Sequence, residues 1–233
     1  MLNLLALLCS RGTLGRLDGH IGRCGCGEEE LLSVYPLIKI RHMLPAHFKH
    51  VPLDKSYRLM NHGPTVLVSA QHGGVTNVMA AAWACVLDYG NTPKVTVVLD
   101  KATRTRELVE ASGFFALQLP TKAMATLTCR VGNDSAKDVP DKLLKHGVKT
   151  FTAPDTDIPL VEGCVGWLAC RLVPEPHNQQ TYDLFIGDVI GAWADDRVFR
   201  DGHWHFDDAP DDLRTIHHVA GGQFLVTGEV VQG

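Results

Sequence analysis

Two groups of residues carry the side chains best suited to chemistry. The first is the run 73–83, Gly-Gly-Val-Thr-Asn-Val-Met-Ala-Ala-Ala-Trp. Small residues on a strand leave peptide N–H and C=O groups within reach, so a planar ligand could lie against the backbone there. The same composition also suits a tightly packed core strand. The second group is Lys101, Thr103, Arg104, Thr105 and Arg106, at the start of a helix expected over 103–112, with Gly113 as its stop. Free N–H groups and the positive end of the helix dipole meet at such a start and attract anions. Cations gain nothing there by themselves. Three of them at a strand-to-helix turn point to an anion that completes the site, or else to a solvated basic turn balanced by Glu107 and Glu110.

The elements that must position these residues are mostly strands. β-branched and alternating runs predict strands at 65–70, 76–84, 95–99, 114–119, 165–173, 182–193 and 224–231. Helices are expected at 103–112, 122–130 and 140–145, with 47–57 as a lead-in loop. Asp201-Gly202 is a hairpin signal. Strands outnumber helices and do not alternate with them, which favours an antiparallel barrel with peripheral helices over a doubly wound sheet. No Gly-x-Gly-x-x-Gly follows a strand, and neither a phosphate-loop motif nor a Gly-x-Ser-x-Gly elbow occurs.

These four pieces resemble, in order and spacing, the flavin reductase-like, FMN-binding split-barrel family, which includes flavoredoxins and the reductase components of two-component monooxygenases. They are the opening strand 65–70, the Asn-containing small-residue strand 76–83, the basic and Thr-rich helix start 101–106, and the Phe-rich strand 114–119. The resemblance covers 64–131 well and continues more weakly through 161–171 and 185–192. It implies a fold that is mainly β with peripheral helices, a split β-barrel of Greek-key type. It implies FMN as cofactor and NADH or NADPH as co-substrate. Carried over by position, Asn77, Val78 and Met79 would border the ribityl chain and ring edge. Ala80, Ala81, Ala82 and Trp83 would present backbone to the ring. Lys101, Thr103, Arg104 and Thr105 would hold the phosphate, with Gln118 as a further polar contact.

The implied activity is NAD(P)H:flavin oxidoreduction, with electrons passed to free flavin or to a protein or small-molecule acceptor, such as a partner monooxygenase. Flavin reductases carry a Gly-Asp-His element before a Phe-Ile-Gly-Glu-Val strand. Here Phe185-Ile186-Gly187-Asp188-Val189 is present, but Gln180-Thr181-Tyr182 precedes it and the histidine is missing. That departure opens the alternative of a flavoredoxin-like electron carrier without NAD(P)H activity. Trp83, His177 and Tyr182 could shape the nicotinamide side, and no residue is assigned a catalytic role. A homodimer with FMN near its interface is implied as well.

The rest of the chain sets bounds. Its 233 residues can bury a sizeable core as one domain. A net charge of −4 without a long basic run argues against nucleic-acid binding. No stretch reaches the roughly 18 apolar residues of a membrane span. Cys85, Cys129, Cys164 and Cys170 read as buried, reduced thiols, in keeping with a cytoplasmic protein. No metal site is expected: Cys24 and Cys26 lack a second ligand pair, and His203 and His205 read as structural. Residues 1–42 are glycine-rich and aperiodic, and are expected to be a poorly structured or non-native extension before a single domain over 43–233.

Overall fold

In the computed structural model, seven antiparallel strands form one curled sheet in the order β2-β1-β5-β8-β9-β4-β3. The structure describes residue 47 and residues 49–233 other than 154. The expectations for residues 1–42, including Cys24 and Cys26, fall outside the described residues. The strands are β1 (Val66–His72), β2 (Val75–Ala81), β3 (Ala84–Asp88), β4 (Lys94–Val98), β5 (Phe114–Leu119), β8 (Gly166–Val173) and β9 (Leu184–Ala194). Short hairpins add β6 (Thr150–Thr152) with β7 (Pro159–Val161), β10 (Phe199–Arg200) with β11 (His203–Trp204), and β12 (Ile216–Ala220) with β13 (Gln223–Val226). The helices are α1 (Arg104–Ser112), α2 (Ala125–Asn133), α3 (Lys142–Lys145) and α4 (Pro176–Tyr182).

The sequence explains how the sheet curls. Gly73 and Gly74 both have positive φ and join β1 to β2 in a two-residue turn, a conformation that glycine adopts without steric cost. β2 then runs to Ala81, bends at Ala82 and Trp83, and continues as β3. Since β2 and β3 are the two edges of the sheet, one stretch of chain spans both edges and the sheet must wrap into a half-barrel. At the bend the Trp83 carbonyl accepts the Val98 N–H at 3.0 Å.

Alternation along β1 separates two cores. Val66, Val68 and Ala70 face the barrel interior with Val97, Phe115 and Phe185, and α1 adds Leu108 and Val109 to the same cluster. Leu67 faces the other way, under α2, with Val78, Met124 and Val131. Gln118 and Ser69 also lie on that outer face: the Gln118 amide donates to Ser69 Oγ at 2.8 Å and its carbonyl accepts the Val161 N–H.

Several elements differ from the sequence reading. The strand expected over 76–84 is two strands, and the chain before Leu184 is helix α4, not strand, because Pro176 stands in its first turn and fixes a helical φ. Residues Leu53–Leu59 of the lead-in form a 3-10 helix. Cys164 and Cys170 are buried, whereas Cys85 is exposed on edge strand β3 and Cys129 is half-buried. Among the described residues no helix is long and apolar enough to cross a membrane.

Gly187, in β9, lies against the fully buried Phe115. A Cβ there would sit 2.5 Å from Phe115 Cζ and 3.0 Å from Cys170 Cβ. Gly187→Ala should therefore cost about 2 kcal/mol of stability through overpacking, read as a lower urea midpoint at unchanged slope.

Candidate functional site

The free edge of β2 is the centre of the site. β2 pairs only with β1, so its outer N–H and C=O groups have no strand partner among the described residues. On one side of this edge lies the start of α1; on the other lies α2. Odd-numbered Asn77 and Met79 border the α1 side, while Val78 and Ala80 pack under α2.

Three adjoining cavities follow the edge. The first, of about 290 Å³, lies between Asn77, Met79, the turn 102–105 and the 133–138 loop after α2. The second, of about 170 Å³, runs along Ala80–Ala82 beneath Thr128, Cys129 and Gly132. The third, of about 350 Å³, is bordered by Ala82, Trp83, Tyr57, Arg58, Asn61 and His218. Gly132 and Asn133 belong to the first two, and Ala82 and His218 to the last two, so the three make one groove. Its extent suits a cofactor-sized ligand. The alanine stripe is half-covered rather than open: a Cβ on Gly132 would meet Ala80 Cβ at 3.1 Å, so α2 and β2 approach as closely as they do only because both residues are small.

The α1 start carries no side-chain cap and borders the first cavity. Asp100 organises the turn: its carboxylate accepts the Ala102 N–H at 2.7 Å, and its carbonyl accepts the Thr103 hydroxyl at 2.8 Å. Thr103 stands at the N-cap position yet directs its hydroxyl backwards, so no side chain caps α1. Thr105, fully buried, accepts the Asn77 amide N–H at 2.8 Å. Asn77 Oδ1 is then left buried without a partner, and Thr128 Oγ1, in the second cavity, is in the same condition. Buried polar atoms are almost always satisfied, and two orphans fall on residues that line this one groove.

The cations are distributed differently from the sequence expectation. Arg104 borders the first cavity and is held by Glu107 at 2.6 Å, and Glu107 also takes Lys137 at 2.7 Å. Lys137 and then Arg104 hold the Glu107 carboxyl below the usual carboxylate range. Lys101 bonds the Gln180 carbonyl at 2.6 Å and does not border the groove. Arg106 is buried and structural: it holds Asp183 at 2.5 Å, the Gln179 carbonyl at 2.9 Å and Glu110 at 2.9 Å.

At the far end, Trp83 is 52% exposed and pinned in place. Its indole N–H donates to Asn61 Oδ1 at 2.8 Å, Asn61 in turn donates to the Val219 carbonyl at 3.1 Å, and Tyr57 meets the Trp83 ring edge-on. The structure thus brings Asn77, Met79, Ala80, Ala81, Ala82, Trp83, Thr103, Arg104 and Thr105 to one groove. It does not bring Lys101, Gln118 or the Val78 side chain there. His177 and Tyr182 contact each other on α4 and stand apart from the groove. Sequence reasoning missed Asn61, Thr128, Gly132, Lys137 and Lys142. Thr128 and Gly132 stand at i, i+4 on α2, but the helix expected over 122–130 stops short of Gly132, so no sequence signal pairs them.

Residues 57–214 match the model of the flavin reductase like domain. The chain belongs to this family. The uncharacterized protein YddH of Escherichia coli (strain K12) is 40% identical over 189 residues, spanning 80% of this chain and 98% of the relative. An FMN-binding domain of a flavin reductases-like enzyme from Shewanella baltica OS155 is 58% identical, covers 78% of this chain and 95% of its own, and superposes with a TM-score of 0.72. The flavoredoxin of Desulfovibrio vulgaris (Miyazaki F), 23% identical over 73% of this chain and 90% of its own, shares the fold with a TM-score of 0.61. The split barrel of this flavin reductase-like chain is thus the scaffold of known FMN-binding proteins. All of β2, α1 and α2 falls inside the matched region, whereas His218 and Gly222 of the groove lie beyond it.

Proposed function

We propose that the groove along β2 binds FMN and that the protein is an oxidoreductase passing electrons from NAD(P)H through FMN to free flavin or to a protein or small-molecule acceptor. The observation that carries this reading is the orphaned Asn77 Oδ1 beside an uncapped helix start, at the end of a groove floored by free backbone. The residues present fit FMN. The first-turn N–H groups of α1, with Thr103, Arg104 and Thr105, would hold its phosphate. Asn77 would accept from a ribityl hydroxyl, and Met79 would line the chain. The backbone of Ala80–Ala82 and the pinned Trp83 would border the ring.

Bound FMN supplies a ring that takes up a hydride and gives up electrons. The protein's own work is placement. The β2 edge orients the ring, α2 covers part of it from water, and Trp83 limits how a second planar molecule can approach. Removing both hydroxyls, Thr103→Val with Thr105→Val, should weaken FMN binding by about 100-fold, because each is a direct or supporting partner of a charged group. Unchanged affinity in a fluorescence titration would sink the phosphate site.

A second reading, a flavoredoxin-like carrier without NAD(P)H activity, is favoured by one observation: the Gly-Asp-His element is missing, and His177 and Tyr182 stand apart from the groove. Absorption spectra of the purified protein under anaerobic NADH, NADPH and dithionite separate the two. Bands bleached by a nicotinamide support the oxidoreductase, and bands bleached by dithionite alone support the carrier.

A homodimer belongs to this proposal. The mouth of the half-barrel is an apolar bowl of about 600 Å³ lined by Val66, Val86, Leu117, Trp167, Trp193 and Trp204. Tyr89, just past the end of β3, is 95% exposed. A symmetric partner would cover such a surface. Light scattering at micromolar concentration should give twice the chain mass, and a monomer would contradict the dimer.

A further inference from the structure

We propose that the 134–138 loop is the second wall of the phosphate site, with Lys137 supplying the cation that faces α1 across it and Lys142 acting as the positioning residue that holds the loop there. This inference rests on the FMN reading above.

Three observations carry it. First, the cavity lined by Asn77, whose Oδ1 is buried without a partner, is walled by the α1 start on one side and by 133–138 on the other, so whatever fills it touches both. Second, cations stand on both walls. Glu107 lies between them, 2.6 Å from Arg104 and 2.7 Å from Lys137, which fixes the span of the mouth. One carboxylate cannot neutralise two cations, so the Arg104–Glu107–Lys137 trio by itself carries a net positive charge, with Asp138 of the loop opposing it and Asp134 held by Lys145. Third, Lys142 is buried beneath the loop and borders the same cavity. Its Nζ donates to the Val131 carbonyl at 2.9 Å and to the Asp134 carbonyl at 2.8 Å. A lysine from α3 thus ends α2, where a left-handed glycine commonly would. Burying an ammonium for packing alone is unfavourable. Its presence there serves both the loop's geometry and the potential of the cavity.

Charge around Lys142 sets the pH behaviour. On the same cavity stand Asp134, Lys137 and Asp138 of the loop and Arg104 of α1, while Glu107 pairs with Arg104 and Lys137. Lys145 and His146 from the α3 end hold the Asp134 carboxylate, both at 2.8 Å. Burial pushes Lys142 down to about 8, with the Asp134 charge opposing. The ammonium is therefore present below that value and lost as pH rises through it. Its help to a bound phosphate follows the same course. Arginine at this position would keep its charge throughout.

The test titrates the full chain, freed of flavin, with FMN and with riboflavin, which lacks the phosphate, at pH 7 and pH 9. Lys137→Ala should raise the FMN Kd about tenfold and leave riboflavin within about twofold. The wild-type preference for FMN over riboflavin should fall several-fold, on the order of threefold to tenfold, between the two pH values, and Lys142→Arg should flatten that fall. An unchanged FMN-to-riboflavin ratio in Lys137→Ala, or an equal weakening of both flavins, overturns the proposal. So does a wild-type ratio that does not move with pH, or one that moves equally in Lys142→Arg. If the wild type binds neither flavin, the FMN reading itself fails and this inference falls with it, an outcome distinct from the others.

Discussion

Replacing Asn77 by alanine should weaken both FMN and riboflavin binding by about 30-fold, whereas Asn77→Asp should spare riboflavin and weaken FMN by about 100-fold or more. The two substitutions separate two jobs of one side chain. In the folded chain the Asn77 amide donates to Thr105 Oγ1 and its carbonyl is left without a partner. Alanine removes both, leaving Thr105 and a ribityl hydroxyl unpaired in a buried site. A loss of about 2 kcal/mol corresponds to that 30-fold change. The ribityl chain is common to both flavins, so both should suffer. Aspartate is nearly isosteric, and the Thr105 hydroxyl can reverse its role and donate to the carboxylate. The internal hydrogen bond survives and an acceptor still faces the ribityl chain. What changes is a negative charge beside the α1 start, which only the phosphate of FMN opposes. Fluorescence titration with each flavin reads both effects. Equal losses for the two flavins in Asn77→Asp would show that the phosphate does not lie at α1.

This pairing of Asn77 with Thr105 shows how much of the site was legible in the sequence. Thr105 stood out in the Thr-rich helix start and Asn77 through the family resemblance, while their hydrogen bond to each other appears only in the fold. The hairpin at Asp201-Gly202 was plain, because two positive φ values need permissive residues. What sequence could not supply was direction. Arg104 and Arg106 are two positions apart on one helix and so point to nearly opposite faces, one to the groove and one to the interior. Composition saw only a basic cluster. The break between β2 and β3 was hidden because Ala82-Trp83 carries neither Gly nor Pro to mark a bend. The edge position of β2, which leaves its backbone free for a ligand, depends on strand order across the whole sheet and is written in no local pattern. Lys142 was hidden for a related reason. It comes from a separate short helix, and its role as the cap of α2 exists only once α3 has docked.

Arg106 is where that loss of direction has its largest consequence. Arg106→Met should destabilise the fold by about 3–5 kcal/mol, lowering Tm by about 10–15 °C for a chain of this size, while the remaining folded protein binds FMN nearly as before. The guanidinium ties together four parts of the chain: Glu110 within α1, the Leu99 carbonyl after β4, the Gln179 carbonyl of α4, and Asp183 before β9. It also lies over the Phe185 ring, 5.1 Å from the centroid. Asp183 adopts a left-handed conformation at φ 55, which this anchor helps to hold. Methionine fills much of the volume yet leaves the Asp183 carboxylate and two carbonyls without their donors. Lysine at 106 should recover less than half of the loss, because one ammonium cannot replace a planar fork that reaches four acceptors in different directions. Thermal unfolding with and without FMN, together with an FMN titration well below the midpoint, distinguishes the structural role from a ligand role. If Arg106→Met released FMN at unchanged stability, Arg106 would belong to the phosphate site after all. The separation of the basic cluster into Arg104 for the groove and Arg106 for the fold would then be wrong.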